Sequence, residues 1–105
     1  MSKKRKTVKT RAFDPAEHLG SDAAIAAYLE DALDSSDPAF IADAIGVVAR
    51  ARGMTLIATE TGLGRESLYK ALSADGNPEF ATVLRVLKAL GMRLAVEPIA
   101  PPTST

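Results

Sequence analysis

Apolar residues recur along this chain at helical spacing, in stretches separated by clear turn signals. Ile25, Tyr28, Leu29, Ala32 and Leu33 fall at i, i+3, i+4, i+7 and i+8, one apolar stripe, with Glu30, Asp31 and Asp34 on the opposite face. Ser21 or Asp22 is placed to cap this helix. Upstream, Asp14-Pro15 offers the start of a short turn running through Leu19 to a stop at Gly20. Ser35-Ser36-Asp37-Pro38 breaks the first long helix and opens a second, in which Phe40, Ile41, Ala44, Ile45 and Val48 form the buried stripe as far as about Arg52. Gly53 supplies a left-handed stop there, and Arg50 and Arg52 suit the negative end of the helix. Two shorter helical pieces follow, 55–61 and 65–72, joined by Gly62-Leu63-Gly64. After the turn Ala74-Asp75-Gly76-Asn77-Pro78, residues 79–90 are amphipathic through Phe80, Val83, Leu84, Leu87 and Leu90, and Gly91 ends them. Residues 92–97 alternate, with Met92, Leu94 and Val96 on one side, which predicts a short strand closed by Pro98. Residues 1–12 and 98–105 lack periodicity and are expected to be a disordered basic arm and a disordered tail.

Composition agrees with the helical reading. Of 105 residues, 47% are hydrophobic but only 5% aromatic, so the core is built from Ala, Leu, Ile and Val, which suits thin helices packed closely rather than a sheet sandwich. The chain has no Cys, which removes disulfides, thiolate metal sites and cysteine nucleophiles from consideration. No apolar run approaches the roughly 18 residues that span a bilayer, and the basic N-terminus lacks a following apolar stretch, so a cytoplasmic protein is expected. The net charge of zero hides a strong polarity. Residues 1–11 carry +6, residues 12–45 carry −8 with no Lys or Arg, and the remainder carries +2. An acidic stretch beside a weakly basic one points to two different partners.

The segment from Met54 to Leu72 has the spacing of a helix-turn-helix. Ala58 is the small residue needed where two short helices cross, Gly62 takes the turn four positions later, and Leu56, Ile57, Leu63, Leu68 and Leu72 plug the two helices. Gly64 stands at the N-cap of the second helix, weaker there than Ser. That helix presents Arg65, Glu66, Ser67, Tyr69 and Lys70 away from Leu68. Lying in a major groove, Arg65 would fork onto a guanine, Glu66 would accept from a cytosine amine, and Tyr69 and Lys70 would hold phosphate. A plain helical hairpin whose glycines merely turn the chain has the same spacing.

Several blocks sharpen the reading: Val48-Ala-Arg-Ala-Arg-Gly-Met54, Thr61-Gly-Leu-Gly-Arg-Glu-Ser-Leu-Tyr-Lys-Ala-Leu-Ser73, Gly76-Asn-Pro-Glu-Phe80 and Val86-Leu-Lys-Ala-Leu-Gly91. With Phe13-Asp-Pro-Ala-Glu-His-Leu19 and Ala24-Ile-Ala-Ala-Tyr-Leu29 upstream, they resemble the addiction-module antidote proteins, HigA-like antitoxins with an Xre-type, lambda-repressor-like helix-turn-helix. The likeness covers about residues 13–97 and is most specific from Gly62 to Ser73, although Gly64 stands where relatives often have Ser. It implies a RelE/HigB-like toxin partner, a basic ribonuclease encoded alongside, and repression of the shared operon. A cationic partner gives the acidic stretch a role: Tyr28, Glu30, Asp31 and Asp34 become candidate toxin-binding residues, with solvated helix faces as the plainer reading. The orphan strand suggests a homodimer paired through Met92, Leu94 and Val96, setting two reading helices about 34 Å apart on a palindromic operator. Docking of those side chains on the chain's own core is the alternative.

Other chemistry is poorly provided for. His18 is the only histidine and has no second ligand at metal spacing, the serines have no nearby base, and Gly62-Leu63-Gly64 lacks the Lys-Ser/Thr continuation of a phosphate loop. The expectation is therefore an all-α domain of about five helices with a short C-terminal dimerisation strand. A toxin-side segment would occupy 13–36 and a DNA-binding domain 37–97. It would act as an antitoxin and autorepressor, with neither cofactor nor metal nor catalysis. A free-standing transcriptional regulator without a toxin is the chief alternative, and a protein-interaction module that never touches DNA is another.

Overall fold

A computed structural model describes residues 19–100, and five α-helices lie among them: α1 (Asp22–Asp34), α2 (Pro38–Arg52), α3 (Met54–Thr61), α4 (Arg65–Ala71) and α5 (Phe80–Ala89). The expected arm at 1–12, the helical turn from Asp14, His18 and the last five residues lie outside the described region.

Local chemistry starts the helices where the sequence places its capping residues. Ser21 is the N-cap of α1, its hydroxyl accepting from the Ala24 N–H at 3.1 Å, while Asp22 enters the first turn and pairs with Arg52 at 2.9 Å. That pair is solvated and worth at most about 1 kcal/mol. Between α1 and α2, the Ser35 hydroxyl donates to the Ala32 carbonyl at 2.6 Å and accepts from the Asp37 N–H at 3.1 Å. Asp37 then caps α2 through the Ala39 N–H.

The second helix is the centre of the packing. α1 lies against α2, α2 against α3 and α4, and α3 against α4 and α5. Ala42, Ala44, Ile45, Gly46, Val48 and Ala49 of α2 are all buried, so small side chains let neighbours approach from several directions. Gly46 marks the tightest approach: a methyl group there would strike the Leu72 carbonyl at the end of α4. One core joins Ile25 and Leu29 of α1 to Val48, Ile57, Leu68, Leu72, Val86 and Leu90. Burial of these side chains is what holds helices as short as α3 and α4, which would be marginal alone.

Several expectations are corrected. Leu33, Phe40 and Leu56, read as buried, are each more than two-fifths exposed. On α5 the buried positions are Val86, Leu87 and the capping Leu90, with Val83 partly covered. Phe80 (67% exposed) and Leu84 (42% exposed) stay largely uncovered, Phe80 at the wall of a groove. Because α5 packs chiefly on α3, this groove stays open between it and the α1–α2 corner.

The predicted strand is also absent. Beyond α5 the Gly91 N–H donates to the Lys88 carbonyl at 2.9 Å and the Met92 N–H reaches back to the Leu87 carbonyl at 2.8 Å, a Schellman arrangement. It folds Met92 onto the core, where Leu94 joins it, and Val96 is left 99% exposed. A strand needs a neighbour to exchange ladder hydrogen bonds, and the described residues offer none. Met92 and Leu94 thus pack within their own chain.

Replacing Gly46 with Ala should lower stability by about 1–3 kcal/mol, the cost of forcing α4 away from α2, despite alanine's better helix propensity. Urea unfolding followed by circular dichroism reads this as a lower midpoint at unchanged slope.

Candidate nucleic-acid interface

The two short helices α3 and α4 meet through a turn that the sequence specifies residue by residue. Gly62 lies in the left-handed region (φ 74°, ψ 12°), and its N–H closes α3 by donating to the Ala58 carbonyl at 2.9 Å. Such a backbone costs a residue with a Cβ about 1–2 kcal/mol. Thr61, which the motif reading passed over, ties the same turn. Its hydroxyl donates to the Ile57 carbonyl at 2.8 Å and accepts from the Leu63 N–H at 3.2 Å. A threonine one residue before a turn glycine, able to bond back to i−4, was the available signal.

Seating of the second helix follows from its one buried position. Leu68 is 1% exposed and locked in the core beside Ile57 and Leu72. That single anchor turns Arg65, Glu66, Ser67, Tyr69 and Lys70 outward, all exposed on one short helix. Glu66, Ser67 and Lys70 share a shallow depression on this surface. The Arg65 guanidinium lies 5.6 Å from the centre of the Tyr69 ring, a cation–π contact of about 0.5–1 kcal/mol in an exposed setting, which restricts where the guanidinium points. Gly64, in extended backbone, caps α4 without any side-chain hydrogen bond.

Residues assigned to a second partner are less unified. Glu30, Asp31 and Asp34 are exposed on α1, and Glu30 and Asp34, one turn apart, border a shallow depression with Arg93 and the C-terminal segment. Tyr28 does not join them. It is half-buried on the core, where burial first and the Asp43 carboxylate second push its phenol above its ordinary pKa, against an opposing pull from Arg50. Among the described residues no three His, Cys, Asp or Glu side chains converge to hold a metal ion, and no helix is long and apolar enough to cross a membrane.

The model of a family described as a probable addiction module antidote protein matches residues 9–98. The chain belongs to this addiction-module antidote family. It is also 47% identical, over 91 residues, to an uncharacterized protein of Haemophilus influenzae, a match covering 87% of this chain and 94% of that protein. No solved structure matches the chain. Membership in an antidote family implies an antitoxin role and a toxin as partner, a non-catalytic task of binding.

Gly64→Ser should add the missing cap to α4. The position has extended backbone, and a Cβ there would meet only the Ser67 hydroxyl at 3.8 Å. The expected gain is about 0.5 kcal/mol, seen as a rise of about 2–4 °C in thermal midpoint.

Proposed function

We propose that this antidote-family chain is the antitoxin of a type II toxin–antitoxin module, which neutralises a RelE/HigB-like toxin and represses its own operon by sequence-specific binding to duplex DNA. The observation that carries the DNA half is the helix-turn-helix geometry itself. A left-handed glycine turn separates two short helices, and one buried leucine directs five polar side chains of the second helix to solvent. Arg65 and Glu66 stand in its first turn, the part of a recognition helix that meets base edges in the major groove. Lys70 and Tyr69, further along, supply phosphate contacts. A homodimer on a palindromic operator completes this reading, since two copies present two such helices.

The toxin half rests on family membership together with the acidic run over residues 12–45. Glu30, Asp31 and Asp34 offer a solvated negative surface to a cationic partner, raising the rate of encounter more than the affinity. Tyr28, packed against the core, stands apart from that surface. In this reading the α1 end of the molecule serves the toxin and α3–α4 serve DNA, within a cytoplasmic protein that needs no cofactor.

Four outcomes are expected. Co-expression with the product of the adjacent reading frame should yield a stoichiometric complex that shifts their shared promoter in a gel. Recovery of a promoter shift with no partner would instead identify a stand-alone regulator. In the same assay Arg65→Ala should weaken specific binding by about 1–3 kcal/mol, roughly 5–150-fold, and relax preference at one base pair. Lys70→Ala should reduce the log–log salt slope by about 0.9, one phosphate's share. Reversing the charges of Glu30, Asp31 and Asp34 together should slow toxin association at low salt while leaving the promoter shift intact; an unchanged association rate would remove the acidic surface from the interface.

A further inference from the structure

Apolar surface that the core leaves uncovered lies in two places. One is the groove between the α1–α2 corner and α5, about 270 Å³ in volume, whose walls include Leu33, Pro38, Ile41, Phe80, Val83 and Leu94. Leu33 is 43% and Phe80 67% exposed in it. The other is the C-terminal segment, residues 93–100, where Val96 is 99% and Ile99 94% exposed. Among the described residues none gives this segment a backbone hydrogen bond. Leu94 belongs to both places: it lines the groove and roots the segment.

We propose that the two surfaces belong together across two copies of the chain, residues 93–100 of each seating Val96 and Ile99 in the other's groove. The proposal rests on the dimer of the functional reading and names its interface. Each copy carries both plug and socket, the self-complementarity that a two-fold contact requires. The segment reaches about 26 Å when extended, and Pro98, lacking an N–H, holds the backbone between its two plugs extended. Exposed side-chain area of Val96, Ile99, Phe80 and Leu33 amounts to about 500 Å² per copy, hence about 1,000 Å² for the pair, the scale at which a specific interface begins.

Charge decides between a second copy and the toxin as occupant. The groove walls carry no ionisable side chain and only Asn77 among polar residues. Its complement is therefore an uncharged apolar plug, which Val96 and Ile99 provide. A cationic toxin is drawn instead to Glu30 and Asp34, which border the neighbouring depression and stand outside the groove lining.

The absence of cysteine makes a direct test clean. Full-length Phe80→Cys and Val96→Cys variants are oxidised separately and as a mixture, alongside sedimentation velocity of the unmodified chain and of a Val96→Asp, Ile99→Asp double variant. These side chains are exposed in the single chain, so circular dichroism should show all variants folded. The expected result is a dimer at micromolar concentration, a disulfide formed mainly in the mixture between Phe80→Cys and Val96→Cys, and about a hundredfold weaker dimerisation in the double variant. A monomeric unmodified chain would overturn both the dimer reading and the exchange. A dimer cross-linked only through Val96→Cys with itself would overturn the exchange alone, showing side-by-side pairing of the two segments. A dimer unaffected by the double variant would likewise overturn the exchange.

Discussion

The contact on which the rest of this molecule depends is the approach of the Leu72 carbonyl to Gly46 in the middle of α2. Any side chain at that position would push the end of α4 outward. With hydrogen alone there, α4 settles onto the central helix far enough for Leu68 and Leu72 to be buried. Burial of Leu68 fixes the rotation of α4 about its axis, and that rotation decides which five side chains face out. A missing methyl group in one helix thus sets the orientation of a polar surface on another, without a hydrogen bond or ion pair between them.

Much of this arrangement was legible in the chain. Ser21 and Asp37 cap where short polar residues precede apolar periods, and the outward face of α4 followed once Leu68 was taken as its plug. What escaped reading has a common cause: the pattern records that a position is apolar but not whether a neighbour exists to cover it. Phe80 and Leu84 share a stripe with Leu87, yet α3 covers a different side of α5, and Val86 takes the fully buried place. The alternation of Met92, Leu94 and Val96 satisfies the rule for a strand, but the Schellman turn after α5 spends the first two on the core and no second strand lies beside them. Gly46 was missed for a related reason. A glycine inside a helix reads as a mild propensity cost unless the partner whose backbone it admits is known.

Charge was read correctly as a pattern and incompletely as a surface. The run from residue 12 to residue 45 is wholly acidic in its ionisable residues apart from Tyr28 and one histidine. Folding brings Arg52 onto Asp22 and Arg93 alongside Glu30 and Asp34, so cations from later in the chain border the acidic helix. Tyr28 packs against the core, its phenol feeling the charges of Asp43 and Arg50 of α2. The negative field is consequently concentrated on one exposed strip of α1 rather than spread over the whole run from residue 12 to residue 45.

The single core, to which α1 through α5 all contribute, has a consequence for lifetime rather than for shape. The acidic strip and the polar face of α4 are surfaces of one cooperative unit, and neither has a private core to survive on when the other opens. A global opening therefore erases both at the same moment, and the two surfaces share one half-life, set by the rate and free energy of that opening. Loss of one surface while the other persists would require chemistry at the surface itself.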